Sequence, residues 1–372
     1  DAIAGALKKP FAAYALRALA PTVWIMAYLG LLRGYFQGMG NMIPTAISQI
    51  LEQIANAIVS VLMAYILFAK GKQADLLYKS SEFSYAYGAM GGAIGTGAGA
   101  GLALLFMFVL FRYQIPSLRR KGKTDRSLTD SYEHSAMLLL FTMLPILFSS
   151  TVYNISSVLD DFLYSSIMTG LGSKTKQIVL EWGIFGEYHV LFNIPVALAN
   201  ALSSSLIPVL TMAVASHDRK KTLSQIRVSV RFTLLIAVPC SIGMAILAEP
   251  LCRMLFPGKH VSLLIQLTRV GSLAVLLYSL STISNAILQG LGHLNIPLYH
   301  SMIALVLHLA SLILFLYLRT GIYGVVLSNI VFALCMCLLN QHAIYKHTRF
   351  RIDLFRSLVM PGISALVMGA AA

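Results

Sequence analysis

Seven polar residues recur along one otherwise apolar stretch: Thr45, Ser48, Gln49, Glu52, Gln53, Asn56 and Ser60. At helical spacing they fall within roughly 140° of arc. Glu52 then lies about 15 Å into the helix, near the middle of a bilayer. An ionisable group at that depth is costly unless it faces water or a partner. Two arrangements provide for it: an interhelical hydrogen-bond seam or the lining of a polar cavity. Seven polar residues exceed the needs of one seam, so the spacing favours a cavity. The chemistry of such a wall is binding: amides and a carboxylate replace water around a polar cargo.

Other candidates are more scattered. His300, Ser301, His308 and Ser311 share about 100° of a later helix. Histidines eight apart do not have metal-ligand spacing, so packing or cavity lining accounts for them. Asn154, Asp160 and Asp161 close the fourth apolar run, as a solvated helix end or as a cation or sugar contact at a cavity mouth. Arg269 enters the seventh run by a few residues, where it either snorkels outward or meets cargo. Arg33, beside Gly34 and Gln37, is a topology anchor or a headgroup contact. The glycines at 88/92, 91/95/99 and 97/101 have small-xxx-small spacing within one apolar helix, which means close helix packing and not a nucleotide loop. Cys240, Cys252, Cys335 and Cys337 fit neither a zinc site nor a disulfide framework. No local motif assembles a nucleophile with a base, so an enzyme is not expected. No cofactor is implied, and metal binding is left open.

The elements that must hold these residues are membrane spans. Of 372 residues, 58% are hydrophobic and 11% charged. A soluble domain carries about 25% charged residues, so lipid must solvate most of this exterior. Ten apolar runs can span about 30 Å of hydrocarbon. They lie near 11–32, 42–69, 84–113, 135–159, 189–213, 228–248, 263–289, 297–318, 321–344 and 355–372. The expected fold is all-α and polytopic. The net charge of +14 sits mostly in short loops, which excludes nucleic acid as the natural partner and fits membrane lipids. Basic residues crowd the loops at 112–126, 219–231 and 346–356, which share one side if the spans alternate. That side is cytoplasmic by the positive-inside rule.

Gln37-Gly38-Met39-Gly40 with Ile43-Pro44 recurs as Gln289-Gly290-Leu291-Gly292 with Ile296-Pro297, about 252 residues later and in the same orientation. A repeat of this kind suggests two related lobes. The offset leads us to expect about three further spans before Asp1, with 1–130 forming the second half of an N-terminal lobe. Residues 131–347 would then be a C-terminal six-helix lobe, and 348–372 the start of an additional helix that continues past Ala372.

The segments Arg33-Gly34-Tyr35-Phe36-Gln37-Gly38 and Asn41 to Ile54 resemble the polysaccharide-biosynthesis branch of the MOP flippase superfamily, close to SpoVB-like and MurJ-like lipid II flippases. The resemblance continues through Tyr153-Asn154-Ile155-Ser156 to Asp160, and through Asn193-Ile194-Pro195 to Leu206-Ile207-Pro208. It implies a two-lobe MATE-like bundle in the cytoplasmic membrane, alternating access, and an undecaprenyl-linked sugar pyrophosphate as cargo. MurJ-type members carry Ala-Asp-Arg-Leu where this chain has Tyr188-His189-Val190-Leu191. A coupling cation is a further partner that the resemblance allows, because some relatives use an acid on the seventh span and Asp160 is the nearest match. The resulting expectation is a flippase for a lipid-linked oligosaccharide. Its cargo contacts are Arg33, Gln49, Glu52, Gln53, Asn56, Asn154, Asp160, Asn193 and Arg269. A multidrug or cation antiporter of the same superfamily is the first alternative. A membrane glycosyltransferase is the second, and the short loops leave it little room for a catalytic motif.

Overall fold

The computed structural model describes residues 11–79, 82–124, 131–258, 260–353 and 355–371. Arg126, at the end of the first basic loop named above, lies outside the described residues, as do Asp1 and Ala372. Every regular element among the described residues is helical. They are α1 (Ala12–Gly38), α2 (Ile43–Tyr78), α3 (Phe83–Thr124), α4 (Tyr132–Gly170), α5 (Thr175–Ala215) and α6 (Arg219–Ile246). A short α7 (Ala248–Leu255) follows, then α8 (Val261–Gly290), α9 (Asn295–Tyr317) and α10 (Ile322–Thr348). A π-helical turn, Phe355–Val359, leads into α11 (Met360–Ala371). Nine of these helices are long and apolar enough to cross a bilayer, and the tenth expected span is the shorter apolar stretch Phe355–Ala370.

The runs are where the hydropathy puts them, but several helices extend well beyond them, and for the candidate site the ends of α4 and α5 matter most. α4 continues to Gly170 and α5 begins at Thr175, so Asp160 does not close its helix. The added turns carry Leu163, Ile167, Met168 and Trp182, which pack on a buried core and hold these ends helical.

The chain divides into two compact units, Asp1–Thr129 and Asp130–Ala372. In the first, α3 packs along both α1 and α2. The glycine spacing accounts for the approach to α2. A Cβ on Gly91 would stand 2.4 Å from the Ala64 backbone nitrogen, and one on Gly99 2.5 Å from the Glu52 carbonyl oxygen. In the second unit α8 is central, with α5, α6 and α10 packed against it. α9 packs on α10 and α4, and α11 lies on α6.

The repeated Gln-Gly-x-Gly sequence is a helix C-cap. Gly40 and Gly292 have φ of 76° and 84°, the left-handed region that a side chain disfavours. The Asn41 amide donates to the Phe36 carbonyl at 3.1 Å and the Gly40 amide to that of Gln37 at 2.9 Å. His293 to Leu288 and Gly292 to Gln289 repeat the pattern, each at 2.9 Å. Each pair of bonds satisfies carbonyls that a helix end would otherwise leave orphaned. Gly172 (φ 89°) caps α4 in the same way. The Gly-x-Gly part of the repeat is therefore turn chemistry, whereas a Gln before it and an Ile-Pro shortly after it accompany that turn at 37–44 and 289–297 and not at 170–172.

Candidate functional site

In the first unit the polar stripe of α2 divides along its length. Arg33, reaching from α1, donates from Nη2 to the Glu52 carboxylate at 2.7 Å and from Nε to Ser48 Oγ at 2.9 Å. Both charged side chains are mostly buried, at 14% and 13% exposure. Ser60 donates to the Asn56 side-chain oxygen at 2.8 Å and also approaches the Gly92 carbonyl at 3.1 Å. One edge of the stripe is thus a hydrogen-bonded seam between helices. Gln49 and Gln53, on the other edge, are exposed within this unit.

The second unit holds a cavity of about 630 Å³, within the usual size of a ligand pocket of about 300–1,000 Å³. Three helices supply most of its polar wall. α4 contributes Ser150, Asn154, Ser157 and Asp160. α5 contributes His189, Asn193, Asn200 and Ser204, and α8 contributes Tyr278, Thr282, Asn285 and Gln289. Tyr188 and Phe192 add aromatic surface. Hydroxyls and amides predominate, and Asp160 is the wall's one carboxylate among the described residues. Several of the amides are already oriented. Asn193 Nδ2 lies 2.9 Å from His189 Nδ1, and Asn154 donates to the Ser150 carbonyl at 2.9 Å. A wall of this kind can bind many hydroxyl groups while carrying little net charge of its own.

Asp160 is 2% exposed. Its carboxylate meets His308 Nε2 at 2.6 Å, and that imidazole is fully buried. His300 contacts Asn340 Oδ1 at 2.7 Å through Nδ1. The structure therefore brings Asn154, Asp160 and Asn193 together in one cavity, and Arg33 with Glu52 in one pair. Arg269 joins neither: it is half-exposed near the start of α8, 3.9 Å from Glu249.

Sequence reasoning passed over most of the cavity wall, although a signal existed. Positions 278, 282, 285 and 289 of α8 share one helical face, as do 189, 193, 200 and 204 of α5. These polar residues are uncharged and interleaved with Ala, Leu and Ser, so they disturb the hydropathy of each run only slightly.

A family model described as Lipid II flippase MurJ matches residues 4–371. The chain belongs to the lipid II flippase MurJ family. It is accordingly a multi-pass protein of the cytoplasmic membrane. Among curated relatives it is similar to the Lipid II flippase MurJ of Bacillus subtilis (strain 168), 26% identical over 96% of this chain and 64% of the relative. It is also similar to Stage V sporulation protein B of the same organism, 24% identical over 90% of this chain and 61% of that protein. The Uncharacterized membrane protein YabM of that strain is 26% identical over 73% of this chain and 48% of its own length. The chain thus spans about half to two thirds of the length of these relatives. Among solved structures, an inward-facing multidrug resistance MATE transporter of the MOP superfamily aligns with a TM-score of 0.65, covering all of this chain and 75% of that one at 13% identity. The Vibrio cholerae MATE transporter VcmN in its bent form aligns at 0.63, covering 92% of this chain and 70% of that one at 16% identity. At such identity these matches establish the fold, a MOP-type helical bundle.

Proposed function

We propose that this chain is a transporter, not a catalyst, which moves an undecaprenyl-linked sugar pyrophosphate across the cytoplasmic membrane by alternating access. Lipid II or a related polysaccharide precursor is the cargo. The observation that carries this reading is a cavity walled by hydroxyls and amides among helices whose outer faces are apolar, in a chain of this family. A sugar leaving water needs replacement hydrogen bonds, and the wall offers them. Asn154, Asp160 and Asn193 act on the saccharide in the second unit's cavity; Gln49, Gln53 and Asn56 are cargo contacts that the first unit offers on its own. Arg33 and Glu52 are contacts for the charged part of the headgroup, and Arg269 is an outlying one. On this reading residues 131–347 work as a C-terminal six-helix lobe and the first unit as part of an N-terminal one.

The test is reconstitution of the full-length protein in proteoliposomes with a fluorescent lipid-linked saccharide pyrophosphate. Loss of the inner-leaflet pool to an impermeant quencher or modifying enzyme outside is expected, and Asn193→Leu with Asn200→Leu should slow it at least tenfold. Transport of lipophilic cations with no movement of the lipid-linked sugar would favour the antiporter reading instead.

A further inference from the structure

The cavity of the second unit is lined, among the described residues, without a lysine or an arginine. Its wall comes from α4, α5, α8 and one residue of α10, Asn329. These four helices hold three such side chains in all, Lys176, Arg269 and Lys346. Lys176 is in the first turn of α5 and Lys346 in the last turn of α10. Arg269 leans toward Glu249, 3.9 Å away, near the start of α8. Two imidazoles come nearer. His189 is on the wall, with its Nδ1 2.9 Å from Asn193 Nδ2. An amide that donates there needs the Nδ1 lone pair, so the ring is neutral. His308 lies behind the wall, 2.6 Å from the Asp160 carboxylate, and such a pair carries −1 or 0. The wall is neutral to negative.

A carboxylate entering this cavity would leave water and meet no cation. Removing a lone charge from water is costly at membrane depth, and Asp160 adds repulsion. An uncharged sugar meets a different balance. Ser203 lines the cavity at 6% exposure, and its hydroxyl has no hydrogen-bond partner among the described residues. A buried hydroxyl left alone costs free energy that a ligand hydroxyl recovers. Asn200 and Ser204 flank it on the same face of α5. Phe192 and Tyr278 meet edge to face on the wall, with centroids 5.1 Å apart. Their rings give apolar surface to the C–H groups of a pyranose.

We propose that this cavity selects the saccharide of the cargo by charge: it takes a neutral sugar and turns away one bearing a carboxylate, such as a uronic acid. This rests on the transporter reading above and narrows its cargo class. The diphosphate, and any peptide that carries carboxylates, then lies outside this cavity.

The test compares two synthetic undecaprenyl pyrophosphates that share lipid and diphosphate and differ in one group. One carries a neutral disaccharide, the other the same disaccharide with its terminal hexose oxidised to the uronic acid. The purified full-length protein in detergent should bind the neutral compound more tightly by roughly tenfold or more. Proteoliposomes should move it faster by a similar factor. Ser204 is exposed on the wall, so Ser204→Lys adds a cation there. That variant should lose most of the preference by gaining affinity for the acidic compound, which a damaged fold does not produce. Equal binding of the two compounds by the wild type, tighter binding of the acidic one, or binding of neither would overturn the selection. Selective binding with no movement in proteoliposomes would uphold the cavity's preference and remove the transporter reading. Movement of both compounds at one rate would do the reverse. If Ser204→Lys does not fold, the wild-type comparison still decides.

Discussion

At the scale of single residues, the most informative contacts join charges that the sequence separates. Glu52 was legible as a buried acid from depth alone, but its partner Arg33 belongs to another helix, and periodicity along one helix says nothing about the next. The pair lies mostly out of water at 2.7 Å, so removing one member leaves the other charge poorly solvated. Glu52→Leu should therefore lower the thermal stability of the purified protein more than Arg33→Met with Glu52→Leu together. A double-mutant cycle should return a coupling between about 0.5 and 3 kcal/mol. A coupling near zero would reduce the pair to a surface-like contact. Glu52→Gln keeps a hydrogen bond to Arg33, so transport should fall further than stability does if the charge serves the cargo. A second prediction concerns His293, in the turn before α9, whose ring lies 3.9 Å from that of His347. Burial, and then the neighbouring His347, lower its pKa from the ordinary value of 6.5. The folded protein thus prefers the neutral ring, and this cost is absent at high pH. Stability should fall as the pH drops below 6.5, and His293→Asn should flatten that slope in thermal unfolding between pH 8 and pH 5.5. An unchanged slope would assign the pH dependence to other groups.

At the scale of elements, hydropathy placed all ten runs, because a span must satisfy its backbone internally and cover itself with apolar side chains. It misplaced the junction of α4 and α5, where the chain leaves the hydrocarbon but stays helical around Tyr164, which hydrogen-bonds Glu181. The cavity wall was the least legible part. Apart from Asp160 its residues are polar but uncharged, and Asp160 and His308 become neighbours only through the packing of α9 on α4. The glycines of α3 were read correctly as packing residues, and the contacts now separate those that matter from those that do not. A Cβ on Gly95 would stand 2.1 Å from Ser60 Oγ and 2.4 Å from the Ser60 backbone nitrogen, whereas one on Gly92 meets nothing within 4 Å. Gly95→Ala should force α2 and α3 apart and cost on the order of 1–3 kcal/mol. Gly92→Ala should be neutral or stabilising by up to about 1 kcal/mol, because alanine restricts the unfolded chain. Melting temperatures in detergent would check the contrast, and equal shifts for the two variants would contradict the packing described for α2 and α3.

At the scale of the whole molecule, the charge pattern fixes which way the bundle faces, and the helices supply a ruler for testing it. Lys174 and Lys220 stand at opposite ends of α5, and both are exposed. The helix between them, Thr175–Ala215, has 41 residues and so measures about 60 Å, more than the full 40–45 Å of a bilayer with its headgroups. The two positions cannot share a side if α5 crosses once. Near Lys220 the basic residues are Arg219, Lys221, Arg227 and Arg231, while Lys174 and Lys176 are diluted by Glu181 and Glu187. The positive-inside rule then puts Lys220 in the cytoplasm and Lys174 outside. The measurement is labelling by a membrane-impermeant maleimide in whole cells, on a background with Cys240, Cys252, Cys335 and Cys337 replaced. Serine suits position 252, where the thiol lies 3.5 Å from the Thr268 hydroxyl. Lys174→Cys should react in intact cells, and Lys220→Cys only once the membrane is permeabilised. The opposite pattern would invert the molecule and place its basic loops outside. Labelling of both positions from outside would break α5 as a single span.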